Sequence, residues 1–313
     1  MGSYQTVKET NKKTVVLKKQ KKKTFSKESL LAYLFISPFL LGLGTFFLVP
    51  AAASFYLSFT TWDGLSAPDF SGLANFINLL QDQTFIRAML NTFVFTILSV
   101  PASMVIATLI ATLLNQKIKG MVIYRTLYFI PVITMPVAVG MVWRWLYNSE
   151  YGLLNFSLSL LNLPQPAWLF DERFALISIV IASVWMTVGN STVILLAGLQ
   201  GIPQSYYEAA VIDGASDIKK FFYITIPLLS PSLFFVLVIS MINSLQVFDL
   251  VYMMMGENVG LLYPTRTIVY SMWEHGFRYF NMGYASAQAL MLFIIILVLT
   301  IIQLYFQKKW VHY

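Results

Sequence analysis

Two groups of residues in this chain have types and spacings able to do chemistry, and neither is a catalytic set. The first is the run Glu208-Ala209-Ala210-Val211-Ile212-Asp213-Gly214-Ala215, followed by Phe221 and Pro227. Glu, Ala and Ile favour a short helix, and a glycine after them suits the left-handed turn that ends one. Glu208 is expected at the N-terminal end of that helix, where a carboxylate suits the dipole. Such a knob fits a groove in another protein. The second group is neutral. Ser183, Thr187 and Asn190 recur at i, i+4 and i+7, and Ser240, Asn243 and Ser244 lie close together, with Gln246 and Asp249 beyond them. Spacings of three and four put each set on one helix face. Hydroxyls and amides give donors and acceptors without charge, which suits sugar hydroxyls at about 1 kcal/mol net per bond. The same residues also serve to stitch helices together or to bond their own backbone.

Other chemistry is absent from the pattern. There is no Cys, and His275 and His312 lie far apart, so no metal site is expected. No paired carboxylates and no nucleophile with its base occur at a plausible depth, so no catalytic residue is assigned and a membrane enzyme ranks last. No Gly-rich loop ends in Lys-Ser/Thr, so the chain is expected to bind no nucleotide itself.

The elements that carry these residues must lie in a membrane. Hydrophobic residues make up 58% of the chain and charged ones 11%, more apolar surface than a soluble core hides. Six apolar runs are long enough to cross a bilayer, at about residues 30–59, 88–114, 123–147, 174–199, 229–254 and 284–306, since a span needs roughly 20 such residues. The fold class is therefore an all-α integral membrane protein with six transmembrane helices and a helix-turn-helix near residues 203–227. Residues 1–29 form a basic tail and 30–313 the membrane domain.

Charge sets the orientation. Placing Lys8, Lys12, Lys13, Lys18, Lys19, Lys21, Lys22, Lys23 and Lys27 inside puts Lys117, Lys119, Arg125, Lys219, Lys220, Lys308 and Lys309 on the same side. Only Arg87, Arg144, Arg173, Arg266 and Arg278 fall outside. Positive residues favour the cytoplasm, so both termini and the 203–227 loop are cytoplasmic. The net charge of +7 is thus a membrane flank, and no nucleic-acid partner is expected. The start Met1-Gly2-Ser3-Tyr4-Gln5-Thr6 fits a myristoylation pattern that a polytopic chain does not need. The first apolar run is too long for a signal peptide and reads as an uncleaved span.

Pro38, Pro50, Pro101, Pro131 and Pro136 sit inside expected spans and predict kinks. Residues 148–173 read as an amphipathic outer helix that either docks an external partner or caps the bundle. Trp62, Trp143, Trp145 and Tyr147 read as an interfacial belt. Trp185, Phe248 and Tyr252 are candidates for apolar sugar faces.

Glu208-Ala209-Ala210-x-x-Asp213-Gly214-Ala215, continued by Phe221, Ile224, Ile226, Pro227 and Pro231, resembles the EAA loop of membrane subunits in bacterial ATP-binding-cassette importers. The approach Leu199, Gln200, Ile202, Pro203 and Tyr207 is similar to carbohydrate-uptake permeases of the maltose and glycerol-3-phosphate type, although Ile226 stands where the family usually has Leu. "LFISPFLLG", "VPAAASFYLSF" and "FNMGYASAQALMLF" extend the likeness over nearly the whole chain after residue 30.

The resemblance implies a type I (MetI-like) importer fold in the bacterial inner membrane. It implies a second homologous permease subunit, two cytoplasmic subunits that bind ATP and Mg, and an extracytoplasmic sugar-binding protein. It gives Glu208, Ala209, Ala210, Asp213, Gly214, Ala215, Phe221 and Pro227 the task of coupling to the ATPases. It places Ser183, Thr187, Asn190, Ser240, Ser244 and Val247 where the maltose-system subunit touches its sugar, with Val247 replacing an amide; Asn243 and Gln246 are candidates to compensate. A neutral oligosaccharide is the expected cargo, because spans four and five hold no cation for glycerol-3-phosphate. The rival is a secondary transporter or channel driven by an ion gradient, a class that usually shows a charged intramembrane relay absent from these span centres.

Overall fold

The computed structural model describes residues 27–116, 120–256 and 263–311. The tail lysines up to Lys23, together with Lys117, Lys119 and His312, lie outside the described residues. The chain divides into two compact units, one ending at Ala52 and one beginning at Ala53.

The first unit contains α1 (Lys27–Leu43), a π-helical turn over Gly44–Leu48 and the start of α2 (Val49–Leu57). Pro38 has no N–H for the Leu34 carbonyl four residues back. The Ser37 hydroxyl donates to that carbonyl instead, at 2.8 Å, and the helix continues. The same pairing recurs in the second unit, where Ser230 donates to the Pro227 carbonyl that Pro231 leaves open, at 2.6 Å.

The second unit is mostly helical: α3 (Ala74–Gln81), α4 (Gln83–Leu114), α5 (Met121–Ile133), α6 (Pro136–Leu146), α7 (Leu153–Leu160), α8 (Glu172–Gln200), α9 (Gln204–Ile212), α10 (Asp217–Lys220), α11 (Ile226–Leu245), α12 (Asp249–Met255), α13 (Ile268–Trp273) and α14 (Met282–Trp310). A two-residue ribbon, β1 (Thr60–Thr61) against β2 (Asp69–Phe70), is antiparallel with Thr60 opposite Phe70 and Thr61 opposite Asp69.

Among the described residues five helices are long and apolar enough to cross a membrane: Leu30–Leu57, Gln83–Leu114, Glu172–Gln200, Asp217–Leu245 and Met282–Trp310. The third expected run, 123–147, is not one helix. α5 stops at Ile133, Thr134 and Met135 are extended (ψ 135° and 132°), and α6 begins on Pro136. A proline pushes the residue before it out of the helical region, and its own fixed φ suits the first helical position. The expected run 229–254 is not one helix either, for a different reason. It starts earlier, because α10, a π-helical turn at Phe221–Thr225 and α11 follow one another, and it stops at Leu245, with Phe248 (φ −137°) interrupting before α12.

The long pair α4 and α8 is the centre of the second unit. One core cluster joins Phe95, Ile179, Ala182, Val251, Met254 and Tyr270. Another joins Ala107, Ala111, Leu195, Leu199, Leu229 and Val236, which packs α11 onto the α4–α8 pair. Gly189 brings α5 against α8, since the Tyr128 carbonyl and Val132 Cγ2 occupy the space a Cβ would take. Asp82 caps α4, accepting from Thr84 N at 2.8 Å and from the Tyr284 hydroxyl at 2.8 Å. Burial works against its ionisation, but these bonds outweigh it and hold the carboxyl below its ordinary 3.8.

Candidate functional site

Two sites emerge, one inside the second unit and one on its surface. The internal site is a cavity of about 400 Å³ between α4, the α5–α6 break, α8 and the α11–α12 break, within the range of small-molecule sites, ~300–1,000 Å³. Ser183, Thr187, Asn190, Ser240, Asn243, Ser244, Gln246 and Asp249 all line it.

Their hydrogen bonds divide them. Thr187 Oγ1 donates to the Ser183 carbonyl at 2.9 Å and lies 3.2 Å from Ser103 Oγ on α4. Ser244 is buried, its hydroxyl shared between the Met241 carbonyl (3.0 Å) and Thr96 Oγ1 (3.1 Å). These hydroxyls stitch helices. The side chains of Asn190, Ser240, Asn243, Gln246 and Asp249 have no protein hydrogen bond among the described residues, and Asn190, Asn243, Gln246 and Asp249 are exposed. They are the groups free to meet a solute.

The α11–α12 break is what assembles this set. Counting from Ser240, Asp249 is nine residues on, about two and a half turns of an unbroken helix, and would face the opposite side. The break at 246–248 turns Gln246 and Asp249 into the cavity beside Ser240 and Asn243. It is pinned from outside: Thr267 Oγ1 donates to the Val247 carbonyl at 3.0 Å, and the Phe248 ring stacks on Tyr252 with centroids 5.4 Å apart.

Sequence reasoning missed the contribution of α4. Ser99 and Ser103 line the cavity, and Ser99 Oγ is buried without a hydrogen-bond partner among the described residues. The signal was present as a Thr92-Thr96-Ser99-Ser103 stripe at spacings of 4, 3 and 4, which places them on one face. Thr134 was also missed, and it reaches the cavity only because α5 ends beside it. Of the three aromatic candidates, Phe248 lines the cavity. Trp185 instead packs on Trp143, and Tyr252 on Trp273.

The surface site is the α9–α10 corner. α9 starts at Gln204 on the extended Pro203, so Glu208 sits in its second turn rather than at its N-terminal end. The dipole effect fades beyond the first turn, which removes that expected stabilisation. Glu208, Ala209 and Asp213 are exposed, Ala210 and Ala215 half-buried. Gly214 takes φ +71°, and Ala215 N closes the turn onto the Ala210 carbonyl at 2.9 Å. Ser216 then caps α10, and Lys220 pairs with Asp217 at 2.7 Å. Tyr207 OH, 3.0 Å from Thr225 Oγ1, ties the corner to the π-helical turn that holds Phe221, ahead of Pro227 in the first turn of α11. Beside Glu208 the corner exposes Val211, Ile212 and Ile218, with Ile212 86% accessible.

Gly214→Ala is expected to cost about 1 kcal/mol, all of it backbone strain, since nothing lies within 4 Å of the added Cβ. Hydrogen exchange of the 209–216 amides should accelerate while α4 and α8 stay protected; protection unchanged across the turn would contradict this.

The chain matches the family of binding-protein-dependent transport system inner membrane components over residues 83–312. It is 38% identical over 299 residues to a probable ABC transporter permease protein, YesP, of Bacillus subtilis, covering 94% of this chain and 96% of that one. It is 35% identical to the trehalose/maltose transport system permease protein MalF of Thermococcus litoralis, over 89% of this chain and 94% of the relative. It is 34% identical to the sn-glycerol-3-phosphate transport system permease protein UgpA of Agrobacterium fabrum, over 91% and 97%. A chain in the crystal structure of a bacterial alginate ABC transporter, in complex with an alginate pentasaccharide-bound periplasmic protein, has the same fold, with a TM-score of 0.79 at 20% identity over 90% of this chain and 96% of that chain. With several apolar helices long enough to span, this is a multi-pass membrane protein, and it belongs to the family of binding-protein-dependent transport system inner membrane components.

Proposed function

We propose that this chain is the membrane-spanning subunit of an ATP-driven bacterial sugar importer and forms half of its translocation path. One observation carries the reading: neutral amide and hydroxyl side chains from α8 and α11, without hydrogen-bond partners among the described residues, converge on one cavity. The α5–α6 pair completes six crossings, with residues 1–29 and both termini on the cytoplasmic side of the inner membrane. The α9–α10 corner of the 203–227 loop is the coupling helix-turn-helix. Glu208, Ala209, Ala210, Asp213, Gly214, Ala215, Phe221 and Pro227 form or support its docking surface. Two cytoplasmic subunits dock there and bind the ATP and Mg; a homologous permease subunit forms the other half of the path, and an extracytoplasmic protein delivers the sugar. The names of its relatives and the orientation read from the lysines support this assembly.

Asn190 and Asn243 are assigned to the sugar's hydroxyls. Replacing both with Leu removes two bonds of about 1 kcal/mol each, so the sugar concentration for half-maximal uptake should rise about thirtyfold. The test is uptake by the reconstituted complex over a panel of neutral oligosaccharides that stimulate its ATPase; an unchanged half-maximal concentration would remove the two amides from the path. The name of the Agrobacterium relative favours glycerol-3-phosphate as a second cargo. Against it, no lysine or arginine lines the cavity among the described residues.

A further inference from the structure

One described residue lining the cavity has an ionisable side chain, and it is Asp249. No ion pair engages it among the described residues. Its neighbours in the cavity, Asn190, Ser240, Asn243 and Gln246, are neutral.

Its place is fixed by the backbone on either side. The Val247 carbonyl is held by Thr267, the Phe248 ring lies on Tyr252, and Leu250 and Val251 are buried in the core. The carboxylate therefore stays at the cavity wall, and the break that carries it there cannot relax without unpacking α12. A carboxylate has only lone pairs to offer. It binds an ammonium through charge-assisted hydrogen bonds and repels a carboxylate or phosphate.

We propose that Asp249 sets the charge class of the cargo: the cavity favours a sugar bearing a protonated amine over its neutral counterpart, and turns away a sugar bearing a carboxylate or phosphate. This rests on the reading of the cavity as a sugar path. It sets the chain apart from the neighbour whose structure is described as importing the acidic polysaccharide alginate, and from the relatives named for glycerol-3-phosphate.

The test uses the complete importer in vesicles with its binding protein and internal ATP. Three labelled disaccharides of one size serve as probes: a neutral glucose disaccharide, the same with one glucosamine unit, and the same with one glucuronate unit. The same binding protein delivers all three to every variant, so a change in the uptake ratios reports the membrane cavity. Asp249→Asn should lower the glucosamine-to-neutral ratio about tenfold and raise the glucuronate-to-neutral ratio, and Asp249→Glu should restore the original order. Asn243→Lys, which adds a cation to the same wall, should move both ratios in the direction of Asp249→Asn. Ratios that stay unchanged in Asp249→Asn and Asn243→Lys overturn the proposal. Uptake of none of the three by the unmodified importer overturns the sugar reading beneath it, a result distinct from unchanged ratios.

Discussion

Glu208→Arg should stop sugar uptake while the importer still assembles and still hydrolyses ATP. Glu208 stands exposed in the second turn of α9, beside an apolar patch of Val211, Ile212 and Ile218. Its carboxylate forms no ion pair among the described residues. The exposed aliphatics offer a partner apolar area to bury, and the acid beside them offers one charge to pair. Breaking a hydrogen-bonded charge pair at such a contact costs about 2–5 kcal/mol, and reversal adds repulsion, so uptake should fall on the order of thirtyfold or more. The corner itself should remain intact, because its turn rests on Gly214, on the Ala215–Ala210 backbone bond and on the Tyr207–Thr225 contact, none of which involves Glu208. Glu208→Gln, which keeps the shape and loses the charge, should fall between. The measurements are co-purification of the subunits, ATP hydrolysis and uptake on the same preparation. Normal uptake by Glu208→Arg would remove the α9–α10 corner from the coupling path.

Glu274→Ala should be the most destabilising substitution outside the long helices. Glu274 is 0% exposed, and its carboxylate lies 3.1 Å from Arg266 Nη2 and 3.7 Å from Arg278 Nη1. Tyr279 OH donates to it at 3.2 Å. Removing the acid strands Arg266, whose side chain is 13% exposed, as a buried cation, at about 3–5 kcal/mol. The loss should spread to the cavity. Arg266 precedes Thr267, which holds the Val247 carbonyl, and Asn91 of α4 holds the Tyr263 and Arg266 carbonyls at 3.0 and 3.1 Å. Arg278→Ala removes a more exposed partner, 39% accessible, and should cost about 1 kcal/mol or less. Thermal unfolding of the detergent-purified protein separates them: a large fall in midpoint for Glu274→Ala and a small one for Arg278→Ala. Equal shifts would show that the buried acid carries no special weight.

Much of this architecture is legible in the residue pattern. Long apolar runs in a charge-poor chain can only be membrane helices, because every backbone polar group must find its partner inside the segment. The turn at Gly214 is legible because left-handed backbone at a helix end is tolerated by glycine at little steric cost. The α4 stripe goes unread because Thr and Ser hydroxyls in a long helix look alike whether they bond their own backbone, as Thr92 and Thr108 do at 2.8 and 2.7 Å, or face a cavity, as Ser99 does. Only the neighbouring helix distinguishes the two. Glu208 lies a turn away from its expected place because α9 begins at the extended Pro203, earlier than the charge pattern suggests.

The residue pattern by itself determined that this chain spans a membrane, carries a short charged helical corner closed by Gly214 and holds two sets of neutral polar groups, since these follow from composition and from the 3.6-residue period. It did not determine that the sets share one space. That was decided by the packing of α11 onto the α4–α8 pair, and two interruptions complete the wall. The one at Thr134–Met135, dictated locally by Pro136, brings in Thr134, and the one at 246–248, pinned by Thr267 from a segment twenty residues further along, brings in Gln246 and Asp249. An unbroken helix would point Asp249 away from Ser240; a carbonyl captured by a distant hydroxyl turns the two toward the same cavity, and no local rule of the backbone contains that contact.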